Sequence, residues 1–263
     1  MENAVKTGFN KKRLIEKGKA FVNTAAVPIL LLIVWQVVCN MKLMTEVILP
    51  SPLKVVQGFW KMAESGTLQV DLLVSLRRVL TGFLYGSVIA IILGVASGLN
   101  KVIDRIFSPL INVIRQIPLY AWMPLIILWF GIGETSKILI IARGVLIPVF
   151  LNTLQGIKGV HTHYRELANV LELKHSVFLR KIVFPSAITS IFTGLRLGIG
   201  GSWMAVVAAE MLGGLTGLGY ALTKSREFLW SDQLIALMIV IAVLGVIFDQ
   251  VVVRIEKRTL RWK

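Results

Sequence analysis

Charge is scarce in this sequence. Of its 263 residues only 16% are Asp, Glu, Lys or Arg while 56% are hydrophobic, so there are too few polar side chains to cover a water-soluble globule of that size. Acid is scarcer still, with 14 Asp and Glu against 29 Lys and Arg. A lone cysteine, Cys39, excludes an intrachain disulfide and is expected to be a buried apolar thiol. His161, His163 and His175 have no cysteine near them and no HExxH spacing, so no metal site is expected and the histidines are assigned to a solvated loop face. No nucleophile, base and orienting acid cluster along the chain, which argues against an enzyme. A phosphate-binding loop is missing as well. The nearest approach, Gly131-Ile132-Gly133-Glu134-Thr135-Ser136-Lys137, has Ser136 in place of the second glycine and Ile138 in place of the following Ser or Thr. No basic stretch is interleaved with stacking aromatics, so the surplus of positive charge does not point to nucleic acid. No small-x-small cleavage site follows the first apolar stretch, against a signal peptide. The lack of an internal repeat weakens an inverted-repeat secondary transporter.

What the chain has in abundance is long apolar runs. A bilayer helix needs roughly 20 mostly apolar residues, and Phe21 to Cys39, Val79 to Leu99, Ile103 to Ile132, Ile138 to Ile157, Val183 to Leu212 and Leu234 to Val253 come near that length. Backbone groups in lipid must be satisfied internally, so the expected fold is all-α and integral to the membrane, with six transmembrane helices in one domain, 21–254. Basic tails flank it at 1–20 and 255–263. With the N-terminus in the cytosol, 19 basic residues fall on the cytosolic side against 8 opposite. That is the asymmetry expected of a six-span protein with both ends inside.

Pro118 and Pro124 interrupt the third run and Pro148 lies in the fourth, predicting broken or kinked helices there. Gly194, Gly198, Gly200 and Gly201 in the fifth run predict close helix packing or bending. Val55, Val56, Phe59, Trp60 and Met62 follow Leu49-Pro50-Ser51-Pro52 in an amphipathic stretch, either on the membrane surface or an ordinary loop helix. Between the fourth and fifth runs, Lys158 to Lys181 is longer than the roughly 2 to 8 residues a helix connection takes. The excess implies a docking element, with Tyr164 to Leu173 and Ser176 to Ile182 as two short amphipathic helices.

Within that loop stand Glu166-Leu167-Ala168, Glu172 six positions after Glu166, Ile182 sixteen after it and Pro185 nineteen after it. This resembles the EAA motif of ABC-importer permeases, where Glu-Ala-Ala, a glycine, an isoleucine and Leu-Pro fall at those offsets. Two residues depart from it: Leu167 replaces an alanine, and Glu172 replaces the glycine, where a left-handed turn costs a non-glycine residue about 1 kcal/mol. Glu172 either tolerates that strain or marks a differently built turn, and it is a candidate second acidic contact to a partner. A second stretch, Pro118-Leu119-Tyr120-Ala121-Trp122-Met123-Pro124-Leu125 with Leu128-Trp129-Phe130-Gly131-Ile132-Gly133-Glu134, is similar to permeases of the nitrate, sulfonate and taurine type. Ser75-Leu76-Arg77-Arg78, Gly194-Leu195-Arg196 and Val207-Ala208-Ala209-Glu210 support it, and aliphatic-sulfonate permeases are the nearest in kind.

The resemblance implies a coupling loop at 158–185 that sits in a groove of an ATPase, with Glu166, Leu167, Ala168, Glu172 and Pro185 as its marked residues. It further implies a second permease copy, two cytosolic ATP-binding subunits that carry the ATP and Mg, an extracytoplasmic substrate-binding protein, and a bacterial plasma-membrane location. The chain itself holds no cofactor in this reading, and alternating access moves a small anionic nutrient inward. A secondary transporter coupled to protons or ions is the alternative. Arg143, Arg196, Glu210 and Asp249 interrupt the apolar runs and should face a partner or water. Arg196, about 16 Å of helix rise beyond Pro185, is a pathway candidate or half of a structural ion pair. Arg143 and Glu210 are candidates to pair with each other, and Asp249 with Arg254. Trp122, Trp129 and Trp203 either line the pathway or fill the bundle.

Overall fold

The computed structural model describes residues 26–160, 168 and 170–259. Their regular elements are all helical: α1 (Ala26–Asn40), α2 (Pro52–Glu64), α3 (Thr67–Leu99), α4 (Lys101–Gln116), α5 (Leu119–Phe130), α6 (Glu134–Lys158), α7 (Ser176–Gly213), α8 (Leu218–Glu227) and α9 (Ser231–Thr259). Four of these, α3, α6, α7 and α9, are long and apolar enough to cross a membrane, and α4 and α5 form a bent pair that is either a broken fifth span or a re-entrant loop. The first expected run begins among residues outside the described ones, and its described part, α1, is a shorter apolar helix.

Helix α6 is the centre of the bundle, packed on one side against α3 and on the other against α7. Lipid tails are as apolar as leucine, so the hydrophobic effect does not draw such helices together, and close backbone approach must hold them. Small residues recur on α3 every fourth position, at Gly82, Gly86, Ala90, Gly94 and Gly98. They form one ridge that meets Ile141, Val145, Thr153 and Ile157 of α6. A Cβ at Gly86 would stand 2.5 Å from the Ala142 carbonyl oxygen. On the far side of α6, the expected role of the α7 glycines holds for Gly194, whose Cβ would fall 2.9 Å from Asn152 Cβ, but not for Gly200, which has nothing within 4 Å.

The prolines act differently from one another. Ile117, just before Pro118, is extended, as the proline ring requires, and α4 meets α5 there at 103°. Helix α6, by contrast, runs unbroken through Pro148 and α5 through Pro124, so of the expected break or kink the break is absent at both. Pro148 has no N–H for the Gly144 carbonyl, and that oxygen faces Gly201 of α7, where a Cβ would come within 3.1 Å.

The second short loop helix is also corrected. Ser176 to Ile182 is not separate but forms the first turns of α7, which is continuous for 38 residues. Leu179–Val183 is π-helical, and the Phe184 N–H bonds back to the Leu179 carbonyl. A wide turn here makes room for Pro185, which has no N–H to give and whose ring crowds the carbonyl four residues back. Pro185 therefore lies inside the helix, not at its start. Helix α2 begins on Ser51, whose hydroxyl accepts from the Lys54 N–H, and Pro52 fills the first turn. It buries Val55 and Met62 and lies against α9, leaving Val56 and Trp60 exposed.

Candidate functional site

At one end of the bundle the start of α6, the end of α7 and the start of α8 converge on Arg78 of α3. Glu210 is fully buried and would be costly in that setting without partners. Its carboxylate accepts from Arg78 Nη1 at 2.7 Å, from Ser75 Oγ at 2.8 Å and from the Gly219 N–H at 2.9 Å. Arg78 also donates Nε and Nη2 to the two oxygens of Glu134, at 2.8 and 2.5 Å, and reaches the Thr216 carbonyl and hydroxyl at 2.8 and 3.1 Å. The guanidinium carries five N–H donors in a fixed fork, and each has an acceptor. Lys137 adds a longer contact to Glu134 at 3.4 Å.

The loop before α8 is shaped by this carboxylate. Gly217 has φ +106°, and a Cβ on it would collide with Glu210 Oε1 at 2.3 Å, so only glycine fits. Its N–H goes to Asp71 Oδ1 at 2.7 Å, while the Leu218 N–H goes to Ser75 Oγ at 2.9 Å. The first free N–H groups of α8 are thus capped by side chains of α3 and α7. One ion cluster ties four helices together.

The opposite end of the bundle, on the order of 35 Å away along α6, carries the loop between α6 and α7. Glu166 and Leu167 lie outside the described residues, as do His161 and His163. Ala168 is helical and buried. Glu172 has φ +48°, and the Leu173 N–H bonds to the Ala168 carbonyl at 3.0 Å. That bond spans from the residue after the left-handed one back to the last full turn, the Schellman arrangement that ends a helix, usually on glycine. The turn expected at this position is therefore present, and Glu172 adopts the left-handed conformation itself. Lys158 closes the end of α6 onto Asp104 of α4 at 2.6 Å.

The charges within the spans pair differently from expectation. Arg196 and Asp249 form a two-pronged bond across α7 and α9, at 2.6 and 2.8 Å. So Arg196 takes the structural-pair alternative, and Asp249 is held by it and not by Arg254. Arg143 and Glu210 do not pair. Glu210 turns toward α3, whereas Arg143 turns toward the α4–α5 break, donating Nη2 to the Ile114 and Ile117 carbonyls at 2.8 and 2.6 Å. Its guanidinium lies 5.5 Å from the centre of the Trp122 ring. Trp203 is core, with its Nε1 on the Ile241 carbonyl at 2.8 Å and its ring against Phe248. Trp129 is exposed.

Residues 86–261 match the family described as binding-protein-dependent transport system inner membrane component. The chain belongs to that family. It is 34% identical over 96% of its length to the aliphatic sulfonates transport permease protein SsuC of Bacillus subtilis (strain 168), covering 92% of that protein. Identity is 33% to the taurine transport system permease protein TauC of Escherichia coli (strain K12), over 88% of this chain and 86% of that one. It is 34% to the nitrate import permease protein NrtB of Synechocystis, over 86% and 84%. A crystal structure of an amino acid ABC transporter with histidines shares the fold, with a TM-score of 0.64 at 19% identity over 76% of this chain and 98% of that one. The protein is a multi-pass membrane permease, a transport component and not an enzyme, of the sulfonate, nitrate and taurine kind.

Three sequence motifs of this permease meet in the ion cluster: Ser75 with Arg78, then Glu134, then Glu210. All three motifs stand out in the sequence, but the pairing expected for Glu210, with Arg143, is not the one formed. The missed residue is Arg78. Its signal was present in the spacing, since Ser75 and Arg78 are three apart and so share one face of a helix entering an apolar run.

Proposed function

We propose that this permease moves a small oxyanion, of the sulfonate, taurine or nitrate class, into the cytosol by alternating access powered by ATP hydrolysis in a partner. The relatives' named substrates support the class. The observation that carries the coupling is the turn from Ala168 to Leu173, a helix end with a small buried residue and a left-handed stop at the position where permeases of this kind keep glycine. Two copies of the chain pair with two cytosolic ATP-binding subunits, which hold the ATP and Mg, and an extracytoplasmic binding protein delivers substrate. In this reading α1, with the residues before it, is the first crossing and the bent α4–α5 pair the third. Six crossings then place both termini and the 158–185 loop in the cytosol, in line with the Lys and Arg asymmetry.

Function is tested by reconstituting the permease with its ATPase and binding protein in liposomes. Uptake of labelled methanesulfonate, taurine or nitrate should require ATP and persist when the proton gradient is collapsed. Uptake that needs the gradient and no ATPase would refute the reading in favour of a secondary transporter.

A further inference from the structure

Of Arg78, Arg143 and Arg196, which all lie in spanning helices, two are neutralised: Arg78 by Glu134 and Glu210, Arg196 by Asp249. Arg143 is the exception. Among the described residues no carboxylate lies within ion-pair distance of it. Only Nη2 is engaged, on the two carbonyls at the α4–α5 break, and its Nε is buried without an acceptor. Trp122, whose ring the guanidinium covers, has a second buried donor without an acceptor, its Nε1. Two neighbouring orphan N–H donors are costly in a setting where nearly every buried polar group is paired. Arg115, exposed and without an ion pair among the described residues, stands one position from Ile114 and two from Ile117 along the chain.

We propose that Arg143 and Trp122 form an anion station at the broken α4–α5 span, where an oxyanion accepts from Arg143 Nε and Trp122 Nε1 together. Arg143 holds the charge through a charge-assisted bond, and the Trp122 ring fixes the guanidinium plane. The α4–α5 break supplies the carbonyls that orient it, so the site lies where backbone is irregular within a span. This inference rests on the permease reading above, because it names the residues that meet the anion along that path.

The test uses the purified permease–ATPase complex and the thermal midpoint in sodium methanesulfonate, with sodium gluconate at equal ionic strength as control. Wild type should be stabilised by methanesulfonate. Arg143→Gln should weaken the apparent affinity about tenfold or more, Arg143→Lys less, and Trp122→Phe, which keeps a ring and removes only the N–H, should weaken it measurably. The same methanesulfonate response in wild type, Arg143→Gln and Trp122→Phe overturns the proposal. So does a variant that lowers the midpoint without ligand yet keeps the full response, since that shows a purely structural role. If wild type transports methanesulfonate yet shows no response, the station is refuted while the permease reading stands. If wild type transports none of methanesulfonate, nitrate and taurine with ATP, the permease reading fails, and this inference falls with it.

Discussion

Replacing Glu210 should be among the most disruptive single changes in this permease. Its carboxylate is fully buried and holds Arg78, Ser75 and the Gly219 N–H at 2.7 to 2.9 Å. Removing one partner of a buried pair costs roughly 3 to 5 kcal/mol, because the other charge is left behind. Here Arg78 keeps Glu134, which lowers the cost, but Ser75 and Gly219 lose their acceptor, at about 1 to 3 kcal/mol for each unsatisfied group. Glu210→Leu is therefore expected to lose about 4 kcal/mol, and Glu210→Gln, which keeps one acceptor oxygen, about half as much. At roughly 2 to 4 °C per kcal/mol for a chain of this size, the Leu variant should lower the thermal midpoint of the detergent-purified complex by about 8 to 16 °C. Arg78→Met combined with Glu210→Leu should lose far less than the sum of the two single changes, since Glu134 is 60% exposed and keeps Lys137. A Glu210→Leu protein within about 1 kcal/mol of wild type, or additive single and double variants, would refute the idea that this cluster locks the helices.

Other outcomes follow from the same geometry. Glu172→Gly should relieve left-handed strain of about 1 kcal/mol, seen as slower hydrogen exchange in residues 168–173, while Glu172→Val should speed it. Ala168→Trp should leave membrane insertion normal but uncouple ATP hydrolysis from uptake, and full transport would remove the coupling assignment. Gly86→Leu should force α3 from α6 and cost about 1 to 3 kcal/mol by overpacking, whereas Gly200→Leu, with open space around it, should change the midpoint little. Asp104→Asn breaks an exposed pair with Lys158 and should cost less than about 1 kcal/mol, in salt-dependent fashion.

Much of this fold was legible because lipid imposes strong local rules. Hydropathy located α3, α6, α7 and α9 to within a few residues at most ends, and the conflict between proline and helix located the break at Pro118. The resemblance marks the position of the turn at Glu172, but a glutamate carries no local sign of a left-handed stop, so the choice between that turn and a variant is legible only in the structure. Pairings of charges were not legible in the sequence either. Arg143 and Glu210 both interrupt apolar runs, but position along a run says nothing of azimuth, and the two side chains face different neighbours of their helices. The true partner of Glu210 lies 132 residues away on α3, a separation that no local period reports. At Pro148 the local rule leaves break and kink open, and the helix is unbroken there, with the freed Gly144 carbonyl facing Gly201 on another helix, a contact that sequence does not display.

The π turn at Leu179–Val183 has a mechanical meaning. Because the helix passes through it unbroken, the segment adjoining the α6–α7 loop and the segment ending near Glu210 are one rod, about 57 Å long for its 38 residues. The far end of that rod is clamped to α3 through Arg78. A tilt of about 5° around the clamp would carry the loop end about 5 Å, so under the coupling proposed above a small push at the loop becomes a lever stroke with its fulcrum at Arg78. The wide turn, with one looser backbone bond from the Phe184 N–H to the Leu179 carbonyl, is a place in the rod where such a stroke would be absorbed as bending.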